Sequence, residues 1–176
     1  MIQAHKGCFL SVAMNGQLEF LGSEKDGSLL HTEWRSFHGV SRANPAHLIS
    51  FWVLGDFASE GKFPYMILPA TGYDQRSRSG RGYTQGRFRG SNYMYAETEY
   101  RFPISKCSGP LSGVVFLNGA TADNPGTDLK LFESVKPGYG VGLRILLDKK
   151  SRSNLVLDYG LGDKSSGFYL AVSETF

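Results

Sequence analysis

The chain has 176 residues, 41% hydrophobic and 20% charged, with 22 glycines, 12 phenylalanines and 9 tyrosines. That aromatic content excludes intrinsic disorder, the length fits one domain over residues 1–176, and a net charge of +3 is too small an excess to indicate nucleic acid. No apolar run approaches the ~18 residues of a membrane-crossing helix, and no GxSxG, phosphate-binding glycine loop or metal-ligand spacing occurs, so neither a cofactor nor an enzymatic reaction is expected.

Residues 1–6 lead straight into a strand-like segment, without a secretory signal pattern. The first predicted strand spans 10–20, where Leu10, Val12, Met14, Leu18 and Phe20 share one face. A second spans 29–37, with Leu30, Thr32 and Trp34 opposite His31, Glu33 and Arg35. The third, 47–58, is apolar on both faces and its parity is ambiguous. A long connection from about Ser59 to Tyr93 follows. It holds Arg76, Arg78, Arg81, Arg87 and Arg89 within fourteen residues, and a loop of this length is usually functional. The pattern resumes at 95–104, with Glu97, Glu99 and Arg101 opposite Ala96, Thr98, Tyr100 and Phe102. Further strands are expected at 113–121, at 138–147 (Tyr139, Val141, Leu143, Ile145 and Leu147 opposite Gly140, Gly142 and Arg144), at 154–161 (with Asn154 and Asp158 on the polar face) and at 167–176.

These eight segments, most near ten residues, suit tilted membrane-crossing strands, which need about 9–11 residues. Short polar connections between them favour an up-and-down antiparallel meander. Alternation leaves the orientation open. A lipocalin-like barrel puts the apolar face inside, whereas a membrane barrel turns it to lipid. The polar face carries both signs (Glu33, Arg35, Glu97, Glu99, Arg101, Arg144, Asp158), a set that can pair across a lumen. Cys8 and Cys107 are compatible with one disulfide or with two free thiols.

Three segments bear on the orientation: Arg81-Gly82-Tyr83; Glu97-Thr98-Glu99-Tyr100-Arg101-Phe102-Pro103; and Gly138 to Arg144 followed by Leu157-Asp158-Tyr159-Gly160 and Gly167-Phe168-Tyr169-Leu170, ending at Phe176. In order and spacing they resemble the C-terminal half of the barrel of the BamA/TamA-type outer-membrane proteins, the bacterial surface antigen family. The similarity is strongest from Pro64 to Phe176. The resemblance implies an outer-membrane β-barrel whose long extracellular loop folds back into the lumen, with Arg81 contacting acidic residues of the inner wall. Glu99 matches the family's acid on the following strand, Glu97 lies on the same face, and Asn118 stands where many members carry a second acid. Gly82 would permit a tight backbone and Tyr83 would pack on the wall. Arg76 and Arg78 read as solvated. Phe176, with Phe168, Leu170 and Val172 on the same parity, resembles the terminal aromatic signal that barrel-assembly machinery reads, although Glu174 interrupts the row.

The expected function is therefore that of a non-catalytic outer-membrane barrel module related to protein assembly and translocation factors. Its partners would be outer-membrane lipid and client barrels. A passive membrane anchor and a soluble ligand-binding barrel are the alternatives. Insertase members of the family have about sixteen strands and periplasmic domains. Eight strands could thus close alone, pair with a second copy as a homodimer, or need a further N-terminal half.

Overall fold

The computed structural model describes residues 6–21, 26–41, 44, 47–59, 63–105, 110–123, 128–148 and 153–172. Eight strands follow one another: β1 (Gly7–Gln17), β2 (Gly27–Gly39), β3 (Leu48–Ala58), β4 (Asn92–Pro103), β5 (Leu111–Ala122), β6 (Lys136–Asp148), β7 (Ser153–Gly162) and β8 (Ser165–Val172). They form a single sheet in chain order, and every neighbouring pair is antiparallel. This is the predicted all-β, up-and-down meander. Among the described residues β1 and β8 do not pair with each other. The eight strands thus form an open curved wall, consistent with half of a larger barrel, and the small closed barrel is not adopted.

The strands form because their side chains alternate between two chemically different sides, which suits a period of two. On β4 the inward set is Tyr93, Tyr95, Glu97, Glu99 and Arg101, all buried. On the other face Leu10, Val12, Met14, Val115, Leu117, Tyr139, Val141, Leu143, Phe168, Leu170 and Val172 remain exposed. A continuous apolar surface of that extent has no stable place in water and suits lipid. The orientation is thereby settled against the lipocalin-like alternative.

The ambiguous third strand resolves with Leu48, Ser50, Trp52 and Leu54 inward. Trp52 and Leu54 join Tyr93, Tyr95 and Ala120 in an apolar cluster beside the charged part of the wall. Its centre is an edge-on pair, Trp52 on Tyr95, with ring centroids 5.2 Å apart.

The first strand lies three residues earlier than expected. It ends at Gln17, and Glu19–Leu21 form a short 3-10 turn held where the Glu19 amide donates to Asp26 Oδ1 at 2.8 Å. Leu18 and Phe20 keep the apolar parity of β1 but lie past its last ladder pair, Gln17 with Gly27. Cys8 is a free thiol whose sulfur accepts from Trp34 Nε1 at 3.0 Å. Cys107, Glu174 and Phe176 lie outside the described residues.

The lipid-facing assignment predicts that Val141→Arg lowers the unfolding free energy in phospholipid vesicles by about 2–4 kcal/mol, the cost of a cation near the bilayer midplane. Urea titration of the refolded protein measures it, and a neutral result would mean that β6 does not face lipid.

Candidate functional site: a loop arginine held on the inner wall

The connection between β3 and β4 is described from Phe63 onward. Its neck is a short antiparallel ladder: Gly90 N donates to Pro69 O at 3.1 Å, Thr71 N donates to Phe88 O at 2.9 Å, and Ala70 bridges Arg89. Beyond the neck, the Asp74 carboxylate accepts from the amides of Arg76, Arg78 and Ser79 at 2.8–3.2 Å. Asp side chains commonly fix turns in this way. Gly80 and Gly82 then adopt φ of +80° and +101°, a left-handed region in which glycine alone is unstrained. The result is a sharp tip that projects Arg81 into the concave side of the sheet.

Arg81 is completely buried. Its Nε and Nη2 donate to the two oxygens of Glu97 at 3.0 and 2.5 Å. Nη2 also reaches Glu99 Oε2 at 2.8 Å, and Nη1 reaches Asp158 Oδ2 at 2.7 Å. The guanidinium lies over the Phe116 ring, 3.7 Å from its centroid, a cation–π contact that strengthens when desolvated. Burial works against the charge of Arg81, but the three carboxylates more than offset it and hold its pKa well above the ordinary arginine value. A planar five-donor fork suits several carboxylates at once, which an ammonium does not.

The wall supplies two more cations. Arg101 Nε donates to Glu99 Oε1 at 2.6 Å. Arg144 donates to Asp158 and, at 3.1 Å, to Glu99. The cluster therefore contains Arg81, Arg101 and Arg144 against Glu97, Glu99 and Asp158, with no net charge. Asn118 does not act as an acid. Its amide donates to the Arg81 carbonyl at 3.0 Å and to Glu97 at 3.4 Å, so it fixes the loop backbone where a carboxylate would repel that carbonyl. The third acid comes from Asp158, which the sequence identified as a lumen charge but not as a partner of Arg81.

Gly82 and Tyr83 secure the other side of the tip. Gly82 N donates to the Tyr169 hydroxyl at 2.9 Å. A Cβ on Gly82 would stand 2.7 Å from the Leu161 carbonyl, and one on Gly160 would stand 2.6 Å from Gly82 N. The loop backbone thus lies directly on bare β7 backbone. Tyr83 donates to the Pro137 carbonyl, accepts from Asp163 N at 3.0 Å and packs edge-on against Phe88. Contacts from this one loop reach β4 to β8.

Arg76 and Arg78 are half-buried rather than solvated, and burial pulls both pKa values down. The tip draws their backbone into the concavity, which local sequence does not show. On the β2–β3 side a second pairing, Arg35 with Glu33, receives a bond from Trp52 Nε1 to Glu33 at 2.8 Å. Tyr95 donates to Glu97 at 2.5 Å, which joins the aromatic cluster to the Arg81 site. Phe168, Leu170 and Val172 point outward on β8.

A model of the Omp85 superfamily domain matches residues 67–176, from the loop to the last residue and well over half of the chain. The chain belongs to the Omp85 superfamily. Comparison with curated proteins returned no match. Membership relates the chain to the protein assembly and translocation factors of the bacterial outer membrane. It also implies outer-membrane lipid and outer-membrane proteins as the general kind of partner.

Two expectations follow for this Omp85 wall. Arg81→Ala leaves three buried carboxylates facing two arginines and should cost about 3–5 kcal/mol, as expected when one partner of a buried ion pair is removed. Arg78→Ala should cost clearly less, and equal thermal shifts of the two variants in detergent would remove the special place of Arg81. Gly82→Ala should release the loop without touching any charge, read as new protease cleavage within residues 72–87 of membrane-embedded protein.

Proposed function

We propose that this chain is a barrel module of an outer-membrane protein assembly or translocation factor. It acts by strand pairing and local bilayer distortion, without covalent chemistry. The observation that carries this reading is the loop tip Arg81-Gly82-Tyr83 docked on the inner wall through Glu97, Glu99, Asn118 and Asp158. This contact ties β4 to β8 together, while β1 and β8 each pair on one side only among the described residues. A wall of that kind is held on its β4–β8 side and freer toward β1, which suits a scaffold for guiding other strands into lipid. Its lipid-facing surface and its family membership support a location in the bacterial outer membrane, with lipid and unfolded client barrels as its partners. Phe168, Leu170, Val172 and Phe176 serve as the signal by which the chain is itself assembled.

The test is reconstitution of the folded chain into liposomes, followed by the folding rate of an added outer-membrane barrel. The expected result is acceleration over empty liposomes. No acceleration with a folded chain would leave a passive membrane anchor as the function.

A further inference from the structure

Two arginines of the long loop take no part in the Arg81 docking. Arg87 and Arg89 lie on the returning side of the loop's neck, where Arg89 bridges Ala70. Both are held by rings and carbonyls. The Arg87 guanidinium lies 5.7 Å from the Tyr83 ring centroid and 5.9 Å from that of Phe88. The Arg89 guanidinium lies 4.5 Å from the Tyr73 centroid and 5.0 Å from that of Tyr65. Arg87 Nη2 donates to the Asp163 carbonyl at 3.3 Å, and Arg89 Nη1 to the Tyr65 carbonyl at 2.8 Å. Such contacts fix where a guanidinium stands without cancelling its charge. Among the described residues no carboxylate forms an ion pair with Arg87, Arg89 or Lys136. The inner wall is built the other way, with a carboxylate against each of Arg81, Arg101 and Arg144.

These three cations line one cavity of about 130 Å³ between the loop neck and the β5–β6 connection. Ala120 and Ala122 of β5 also line it, and their short side chains leave the space open. The one acid in the lining is Asp123. Its carboxylate is already engaged by the backbone and side-chain amides of Asn92. The lining therefore carries an excess of positive charge. Thr121, also in the lining, accepts from the Phe132 amide at 3.0 Å, which leaves its own hydroxyl proton to donate. That bond pins Phe132 at φ +73°, a conformation that bulky residues rarely adopt. Backbone strain of this kind concentrates at binding sites. We propose that the cavity binds a phosphate group. Cations that arrive from two elements, the loop neck and the first residue of β6, suit an anion with several outward oxygens better than a planar carboxylate, which one guanidinium satisfies. The space equals that of about four waters, which admits a single tetrahedral oxyanion. The β3–β4 and β5–β6 connections emerge at the same end of the sheet, so the phosphate comes from solution or from a lipid headgroup at that membrane face.

The test is a titration of the full chain, folded in detergent, with inorganic phosphate at constant ionic strength. The expected result is a saturable rise in the unfolding midpoint, as for any ligand that binds only the folded state, and no such rise with chloride. Combining Arg87→Gln with Lys136→Gln should weaken the apparent Kd on the order of tenfold or more, through the loss of two charge-assisted contacts. Lys6→Gln, at the opposite end of the sheet, should leave it unchanged. Lys136→Gln alone gives the same comparison if the double variant does not fold. A second arm uses phosphate-free buffer and vesicles of phosphatidylcholine with or without phosphatidic acid. Protection by phosphatidic acid that the double variant loses would support the site and identify a headgroup as the source. Protection by the dissolved ion alone would support it with free phosphate as the source. No saturable shift in either arm, or shifts that the double variant keeps, would overturn the proposal. These readouts do not involve client folding, so the site stands or fails separately from the assembly reading.

Discussion

The structure depends on one constraint: a guanidinium cannot be moved from water into a protein interior unless its charge is met there. Arg81 is carried to the wall by a loop tip and has no exposure at all. It is tolerated because Glu97, Glu99 and Asp158 converge on it from strands β4 and β7. The dependence is mutual. Without Arg81 the wall would bury three carboxylates against Arg101 and Arg144 alone. The loop is therefore the missing cation of the wall as much as the wall is the receptor of the loop. The ion pairs give that docking its geometry, and their net stabilisation over an apolar substitute is modest, because desolvation cancels most of the attraction.

Charge alone would not bring the loop close enough. The inner faces of β6 and β7 are stripped of side chains at Gly138, Gly140, Gly142 and Gly160. The space left is taken by the Phe116 ring, the Asn118 amide, the Asp158 carboxylate and the loop backbone itself. An alanine at any of these positions would meet another group before Arg81 could reach its partners. The aromatic cluster on β3–β4 has the opposite role. Trp52, Tyr93 and Tyr95 fill the concavity where the loop tip does not reach, and through Tyr95 they are hydrogen-bonded to the same Glu97.

The strands were legible in the sequence because a half-buried strand has a period of two, and the lumen acids stand out against that period. β3 was not legible in parity, since Phe51 and Val53 face lipid while Trp52 and Leu54 face the cluster. Both faces are apolar for different reasons. β1 was displaced because Leu18 and Phe20 continue its alternation past the last ladder pair. Arg81 and Glu99 came from a resemblance rather than from periodicity. The contact with Asp158 spans 77 residues of chain and exists only once β7 is laid beside β6. The burial of Arg76 and Arg78 is likewise a property of where the loop goes. The Asp74 turn that sends it there looks like any polar loop segment when read along the chain.

A wall whose charges cancel internally has a mechanical consequence. Parting β1 from β2 exposes backbone ladder groups and lipid-facing side chains, but it uncovers none of the groups on β4, β5 and β7 that hold Arg81. The cost of parting an edge is then set by hydrogen bonds, each with a modest net contribution where alternative partners exist, while the curvature of β4 to β8 is held by contacts whose loss is far more costly. The docked loop stabilises the β4–β8 side, so the β1 end is the less strongly held part of the wall. The same arrangement explains why the edges can remain uncharged. The solubility that lysines would bring is of no use in lipid.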